Sequence, residues 1–151
     1  MYEQRFPEDL WYHQYPERLR METEAMQERF GQFRLTIGDT GDVAWDGYLR
    51  TNRDNTYRVA VLYPRLYPFG APSAFLLSPR SQSQHLSPKG EMCLMTVGDK
   101  VWRTNTTAVA IIALAAAWLF AYETHEEHCR CGPGYTPCRE VVCPHWPGPK
   151  V

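Results

Sequence analysis

The spacing of apolar side chains first predicts a helix. Residues 16–31 begin with a proline, are rich in helix-forming residues and end at a glycine. Within them, Leu19, Met26 and Phe30 recur at intervals of about seven and four positions, which places them on one helical face. The segment is therefore predicted to form an amphipathic helix.

After this helix the apolar period changes to two, which is typical of strands with one buried face. The connections GDTGD and TNRDN are short and rich in residues that tolerate tight turns, so the strands should pair antiparallel as a meander. A fourth strand, SAFLLS, is predicted at residues 73–78. The alternating apolar positions of the first three strands are Phe33, Leu35 and Ile37, then Val43, Trp45 and Leu49, then Tyr57, Val59, Val61 and Tyr63.

A second helix is predicted at about residues 107–123. Residues 106–122 carry no charge, but seven alanines make the run weakly hydrophobic, which favours a buried core helix over a membrane span. Thr104, Asn105 and Thr106 offer capping oxygens at its start. Because the helix is apolar on all faces, both sides need cover, one from the sheet and the other from the C-terminal segment or a partner.

Composition limits the function classes. A length of 151 residues fits one domain, and a net charge of -1 provides no field to attract nucleic acid or an anionic membrane. The N-terminus lacks the apolar core of a secretory signal, so a cytoplasmic location is expected. In that reducing compartment, cysteines are metal ligands, catalytic groups or core fillers more often than disulfides.

Between residues 79 and 105 there is no sustained periodicity, and so long a loop is usually functional. It contains Cys93, the only cysteine outside the last 23 residues. Cys93 either fills a buried site, as most cysteines do, or is a reactive thiol. The irregular backbone supports the second interpretation, as do Lys89, Lys100 and Arg103, whose charges favour a thiolate.

Residues 125–151 form a separate extension rich in cysteine, histidine and proline, so the domain itself is predicted to span residues 1–124. Zinc is one hypothesis for the extension, although the Cys-x-Cys spacing is a weak signal; buried thiols, disulfides and redox chemistry are the alternatives. The ligands would be Cys129, Cys131, Cys138 and Cys143, with His125, His128 or His145 able to replace one of them.

The run from Tyr63 to Trp102 resembles the active-site half of the ubiquitin-conjugating enzymes. Their pattern is Tyr-Pro-Phe with a second proline nearby, a strand, a histidine, Gly-x-x-Cys-Leu, and a tryptophan before a long helix. The order of predicted elements over residues 17–123 also agrees with theirs, and the bacterial branch found in ubiquitin-like and anti-phage cyclic-oligonucleotide signalling operons is the most similar. The matching residues are Tyr67, Pro68, Phe69, Pro72, His85, Gly90, Cys93, Leu94 and Trp102.

The resemblance implies an α+β ubiquitin-conjugating-enzyme fold: an N-terminal helix, a four-stranded antiparallel meander, an active-site loop and a central helix, here with a Cys-rich C-terminal extension. It also implies a thioester carrier. Cys93 would receive the C-terminus of a ubiquitin-like protein, or of a cyclic-oligonucleotide synthase, from an activating enzyme and pass it to an amine. The chemistry itself would need no cofactor.

Two departures from the family pattern affect the expected site. The usual His-Pro-Asn is replaced by His85-Leu86-Ser87, so the asparagine that steadies the oxyanion is absent, and His85 is left to support the loop geometry. Ser87 and Asn105 are the alternatives for the missing donor. For the family's acidic residue near the site, Asp99 is the nearer candidate, with Glu123, Glu126 and Glu127 as alternatives.

The remaining candidates concern partners. Arg18 and Arg20 are most simply a solvated helix face, but the resemblance makes them candidate contacts of the activating enzyme. Tyr67, Phe69 and Trp102 either stack on a partner or pack as a hydrophobic corner, and packing is favoured. A rival function is a catalytically inactive module of the same fold that only holds a ubiquitin-like partner. A third is a zinc- or redox-responsive regulator that acts through its tail.

Overall fold

Two helices precede the sheet, and their boundaries follow from local sequence. The computed structural model describes residues 10–81, 86–94 and 102–128, with the backbone alone at 125–128. A single turn, α1, spans Trp11–Gln14 and was not predicted. The predicted amphipathic helix, α2, spans Pro16–Arg29, with its proline in the first turn, where the missing amide hydrogen costs nothing.

Four strands form one antiparallel sheet in the order β1-β2-β3-β4, as the alternating pattern predicted. One row of paired residues crosses all four strands: Leu35 faces Trp45, Trp45 faces Val61, and Val61 faces Ala74. The last three are buried, so this row belongs to the inner face of the sheet. The strands are β1 Arg34–Ile37, β2 Val43–Arg50, β3 Thr56–Leu62 and β4 Ser73–Ser78.

The apolar helix, α3, spans Ala108–His128 and contacts α2, β3 and β4. It ends five residues beyond the predicted end because no glycine or proline interrupts the chain before Gly132. Its buried side faces the sheet, whereas Phe120 on the other side is 60% exposed. Among the described residues, no helix is long and apolar enough to cross a membrane.

Candidate functional site

Cys93 lies at the end of a short hairpin that runs beside β4. The hairpin turn is closed by the amide of Gly90, which donates to the Ser87 carbonyl at 2.9 Å. The amide of Leu76 in β4 donates to the Gly90 carbonyl at 2.8 Å, and the Met92 amide donates to the Ala74 carbonyl, also at 2.8 Å. Backbone hydrogen bonds therefore fix the residues directly before Cys93 to the sheet.

The side chain of Cys93 is exposed because its two neighbours are buried. Met92 and Leu94 are each 4% exposed and belong to the core, while Glu91 and Cys93 face outward. The amide of Leu94 also donates to the Met92 carbonyl at 2.9 Å, which makes a three-residue turn centred on Cys93. The interpretation of Cys93 as a buried core filler is therefore wrong, and its thiol is accessible from solvent.

Gly90 of the Gly-x-x-Cys-Leu pattern is required by this close approach. Its φ is +88°, and a Cβ there would lie 2.5 Å from the carbonyl oxygen of Leu76. We expect Gly90→Ala to lower the free energy of unfolding by at least about 2 kcal/mol, since left-handed strain and the clash add. Urea unfolding would measure this loss.

The matched control for that variant is Gly38→Ala. A Cβ at Gly38 would meet nothing nearer than 3.8 Å, and its φ is not positive, so its unfolding midpoint should stay close to that of the wild type. Equal midpoints for the two variants would show that the hairpin does not need its glycine.

The other predicted catalytic residues are only partly described. The hydroxyl oxygen of Ser87 accepts the Glu91 amide at 3.0 Å and so helps to close the hairpin. Asn105 is exposed in the segment that leads into α3. His85 and Asp99 lie outside the described residues, and their roles stay predictions.

The zinc hypothesis also lies outside the described residues, since all four of its cysteines follow His128. Within residues 10–81, 86–94 and 102–128, no group of three or more acidic, histidine or cysteine side chains is arranged to hold a metal ion.

The three candidate aromatic residues behave differently. Tyr67 is 1% exposed and packs at 5.7 Å from the Trp102 ring, and the Trp102 indole donates to the Pro68 carbonyl at 3.2 Å. The packing prediction is thus confirmed for these two, and Tyr67 is too buried to contact a partner. Phe69 is 71% exposed, so packing was wrong for Phe69, which stays a candidate partner contact.

Arg18 and Arg20 point in different directions from the same helix. The side chain of Arg20 is 70% exposed and pairs with Glu17 at 2.8 Å, as a solvated face requires. The side chain of Arg18 is only 12% exposed, and its guanidinium donates to Tyr67 Oη at 2.9 Å and to the carbonyls of Thr104 and Thr106. The solvated-face prediction is therefore wrong for Arg18, because these internal acceptors bind its donors and leave little of it for a partner.

A buried carboxylate, Glu22, was missed by the sequence reasoning. Its side chain is fully buried, and it accepts hydrogen bonds from Tyr63 Oη at 2.9 Å, from Tyr67 Oη, and from the first amide of α3, Ala108 N, at 2.8 Å. Burial raises its pKa, although the Ala108 amide, the Tyr63 hydroxyl and the nearby Arg18 act in the opposite direction. Glu22 thus joins α2, the sheet and the start of α3.

Glu123 is not the acidic residue of the site. It accepts hydrogen bonds from Thr51 at 2.9 Å and Asn55 at 2.7 Å, at the β2–β3 turn. Cys93 follows the residue that pairs with Ala74, near the other end of β3. Burial alone would raise the pKa of Glu123, but the donated hydrogen bonds lower it, as expected of a carboxylate that fastens a turn.

Solved structures share this fold. The ubiquitin conjugating enzyme E2 from Plasmodium falciparum aligns with a TM-score of 0.52 and 14% identity, over 78% of this chain and 92% of that one. The Plasmodium vivax ubiquitin conjugating enzyme E2 aligns with a TM-score of 0.50 and 15% identity, over 66% of this chain and 96% of that one. The Vps23 UEV, solved in a complex with ubiquitin, aligns with a TM-score of 0.50 and 13% identity, over 69% of this chain and 81% of that one. At such identities the likeness shows the fold alone, and it confirms the predicted ubiquitin-conjugating-enzyme fold.

Comparison with the curated proteins finds no match. A family model described as "Type II CBASS E2 protein" matches residues 22–129, well over half of the 151-residue chain, and the match includes Glu22, Cys93 and α3. The resemblance noted in the sequence pointed to the same conjugating-enzyme-like proteins of anti-phage operons. The chain therefore belongs to the type II CBASS E2 protein family.

Proposed function

We propose that this protein carries an acyl group as a thioester on Cys93 and transfers it to an amine. The carried group is the C-terminus of a ubiquitin-like protein or of a cyclic-oligonucleotide synthase, and an activating enzyme delivers it. The observation that carries the proposal is the exposure of the Cys93 thiol at the end of a hairpin fixed to β4. Membership of a conjugating-enzyme-like family supports the same chemistry.

Two acyl transfers make up the proposed reaction. In the first, the Cys93 sulfur attacks the carbonyl carbon of the incoming thioester; a new S–C bond forms, the old one breaks, and the proton lost by Cys93 ends on the departing thiol. In the second, the amine nitrogen attacks the same carbon, the N–C bond forms, and Cys93 leaves and takes up the proton that the amine loses. Neither step changes an oxidation state.

The hairpin suits a carrier because the carbonyl must be reached twice, once by the donor and once by the amine. Met92 and Leu94 are held in the core, so the backbone that carries the sulfur is fixed while the Cys93 side chain is exposed. A fixed nucleophile saves the entropy of aligning it at each transfer.

The test is to incubate the protein with ATP, a candidate activating enzyme and each candidate carried protein. We expect an adduct that thiols cleave, and a thiol-resistant oxyester with Cys93→Ser. An adduct that survives thiols in the wild type, or that forms on another residue, would contradict the proposal.

A second candidate is a binding module that holds a ubiquitin-like partner without catalysis. The absence of the proline and asparagine that normally follow the histidine favours it, and the Vps23 UEV of similar fold was solved with ubiquitin bound. In that case Cys93→Ala would bind the partner as tightly as the wild type, and no adduct would form with any carried protein.

A further inference from the structure

A cleft lies between the end of β4 and the turn of the hairpin that leads to Cys93. Its volume is about 570 Å³, which is within the range of pockets that bind ligands. Backbone contacts join its two walls, since the Leu76 amide donates to the Gly90 carbonyl at 2.8 Å and Phe75 forms a bridge with Glu91. The two walls are therefore held at a fixed position relative to each other.

The polar side chains that line the cleft can all donate hydrogen bonds. Arg80 and Lys89 bring one positive charge to each wall, and neither has a hydrogen-bond or ion-pair partner among the described residues. Ser87 Oγ accepts the Glu91 amide at 3.0 Å, so its own hydrogen is left to donate. Ser81 also lines the cleft, and no acidic side chain does so within the described part of the chain. This lining favours a ligand with negative charge.

Leucine side chains supply apolar surface in the same cleft. Leu76 is 4% exposed, whereas Leu77, near the end of β4, is 39% exposed and so presents apolar surface to solvent. Leu86 lines the cleft from the hairpin. Leucines beside cationic donors suit a peptide segment with both apolar and acidic side chains better than an inorganic ion, which has no apolar part to bury.

The cleft lies close to Cys93. Gly90, which lines it, is three residues before Cys93 on the same arm of the hairpin, and every residue between them is described. Three residues span no more than about 11 Å even when fully extended. In an extended peptide, residues two or three positions apart are separated by about 7–10 Å. A lysine at the Cys93 thioester therefore brings a neighbouring acidic side chain within reach of the cleft.

We propose that this cleft binds an acidic segment of the protein that supplies the acceptor amine, next to its reactive lysine. This rests on the proposed function and gives it a class of acceptor. The carried protein is held by its covalent bond to Cys93, whereas the acceptor must be held noncovalently while its amine attacks. Ion pairs with Arg80 and Lys89 raise the local concentration of lysines that have acidic neighbours.

The test compares two N-terminally blocked acceptor peptides in transfer from the preformed thioester. Each contains one lysine; the acidic peptide has glutamates two and three positions away on both sides, and the neutral peptide has glutamines there. We expect the wild type to give a kcat/KM about 10-fold higher for the acidic peptide. With Arg80→Gln and Lys89→Gln combined, this ratio should fall to about 1. The matched control is Arg34→Gln, which removes an exposed charge from β1 and should keep the wild-type ratio.

A binding measurement separates failure of this inference from failure of the proposed function. Cys93→Ala cannot carry an acyl group, so fluorescence anisotropy of the labelled acidic peptide reports binding without transfer. We expect Arg80→Gln and Lys89→Gln, added together to Cys93→Ala, to raise the Kd for this peptide by about 10-fold. Arg34→Gln in the same background should leave the Kd unchanged.

Three results would overturn the inference. Equal kcat/KM values for the two peptides in the wild type would exclude an acidic preference, and a preference that survives the loss of Arg80 and Lys89 would place it elsewhere. If the double variant slows thioester formation and leaves the peptide ratio unchanged, the cleft serves the carried protein instead. A wild type that forms no thioester overturns the proposed function, and the anisotropy measurement then decides by itself whether the cleft binds acidic peptides.

Discussion

Replacing Cys93 by alanine is expected to abolish the adduct completely while changing the free energy of unfolding by no more than about 0.5 kcal/mol. The thiol is exposed, so its removal opens no cavity in the core. In the proposed reaction the acyl group is carried by that sulfur alone, so we expect no residual transfer. The two measurements are gel detection of the adduct and urea unfolding of the same preparation.

The matched control is Cys138→Ala in the C-terminal extension, which should form the adduct as the wild type does. An adduct retained by Cys93→Ala and lost from Cys138→Ala would move the reactive thiol to the extension. A loss of several kcal/mol in Cys93→Ala would instead show a structural role for this cysteine.

The sheet could be predicted from the sequence because burial on β2 and β3 follows a local period, although Ile37 of β1 is 55% exposed and departs from it. Val43, Trp45 and Leu49 are buried on β2, and Val59 and Val61 on β3, as the alternation required. The short turn α1 could not be predicted, since four residues cannot display a helical period. Elements that bury one face regularly are therefore visible in the sequence, and isolated turns are not.

The exposure of the Cys93 side chain could also be predicted from the local sequence pattern. Met92 and Leu94 are apolar neighbours on either side of it, and an alternation of two would already turn the cysteine away from the core. What the sequence could not give is the reason for Gly90, because the oxygen that excludes a side chain there belongs to Leu76, on another strand.

The roles of Arg18 and Phe69 depend on distant parts of the chain. The Arg18 side chain is only 12% exposed because Tyr67, 49 residues later, and the carbonyls before α3 accept its hydrogen bonds. The helical period places Arg18 on the same side as Glu22, four residues later, but it cannot identify acceptors that lie 49 or more residues away. Phe69 is exposed although the adjacent Pro68 and Tyr67 are buried, which only the path of the loop decides.

The burial of Glu22, by contrast, could have been predicted from the helical period. Glu22 lies three residues after Leu19 and four before Met26, so it belongs to the apolar face of α2 rather than to the charged one. An acidic residue on a core-facing helix face indicates that buried hydrogen-bond donors surround it, because burying an unpaired carboxylate costs too much free energy.

The Glu22 network leads to the largest expected effect on stability. Glu22→Ala should lower the free energy of unfolding by about 3–5 kcal/mol, because it leaves Tyr63, Tyr67, Arg18 and the first amide of α3 without their shared acceptor inside the core. Glu22→Gln should cost less, since its carbonyl oxygen still accepts some of these bonds. Glu24→Ala, on the exposed side of the same helix, is the control and should unfold like the wild type.

The pH dependence of this stability has a defined sign. Burial raises the pKa of Glu22, so the folded chain binds its proton more tightly than the unfolded chain does. The stabilisation that this proton brings is fully present below the unfolded pKa of about 4.5 and is lost as the pH rises through the folded pKa. Relative to the wild type, Glu22→Gln should therefore be most destabilised near pH 4 and less so at pH 7. Urea unfolding at both values measures the difference, and a penalty that instead grows with pH would mean that the Ala108 amide, the Tyr63 hydroxyl and Arg18 outweigh burial.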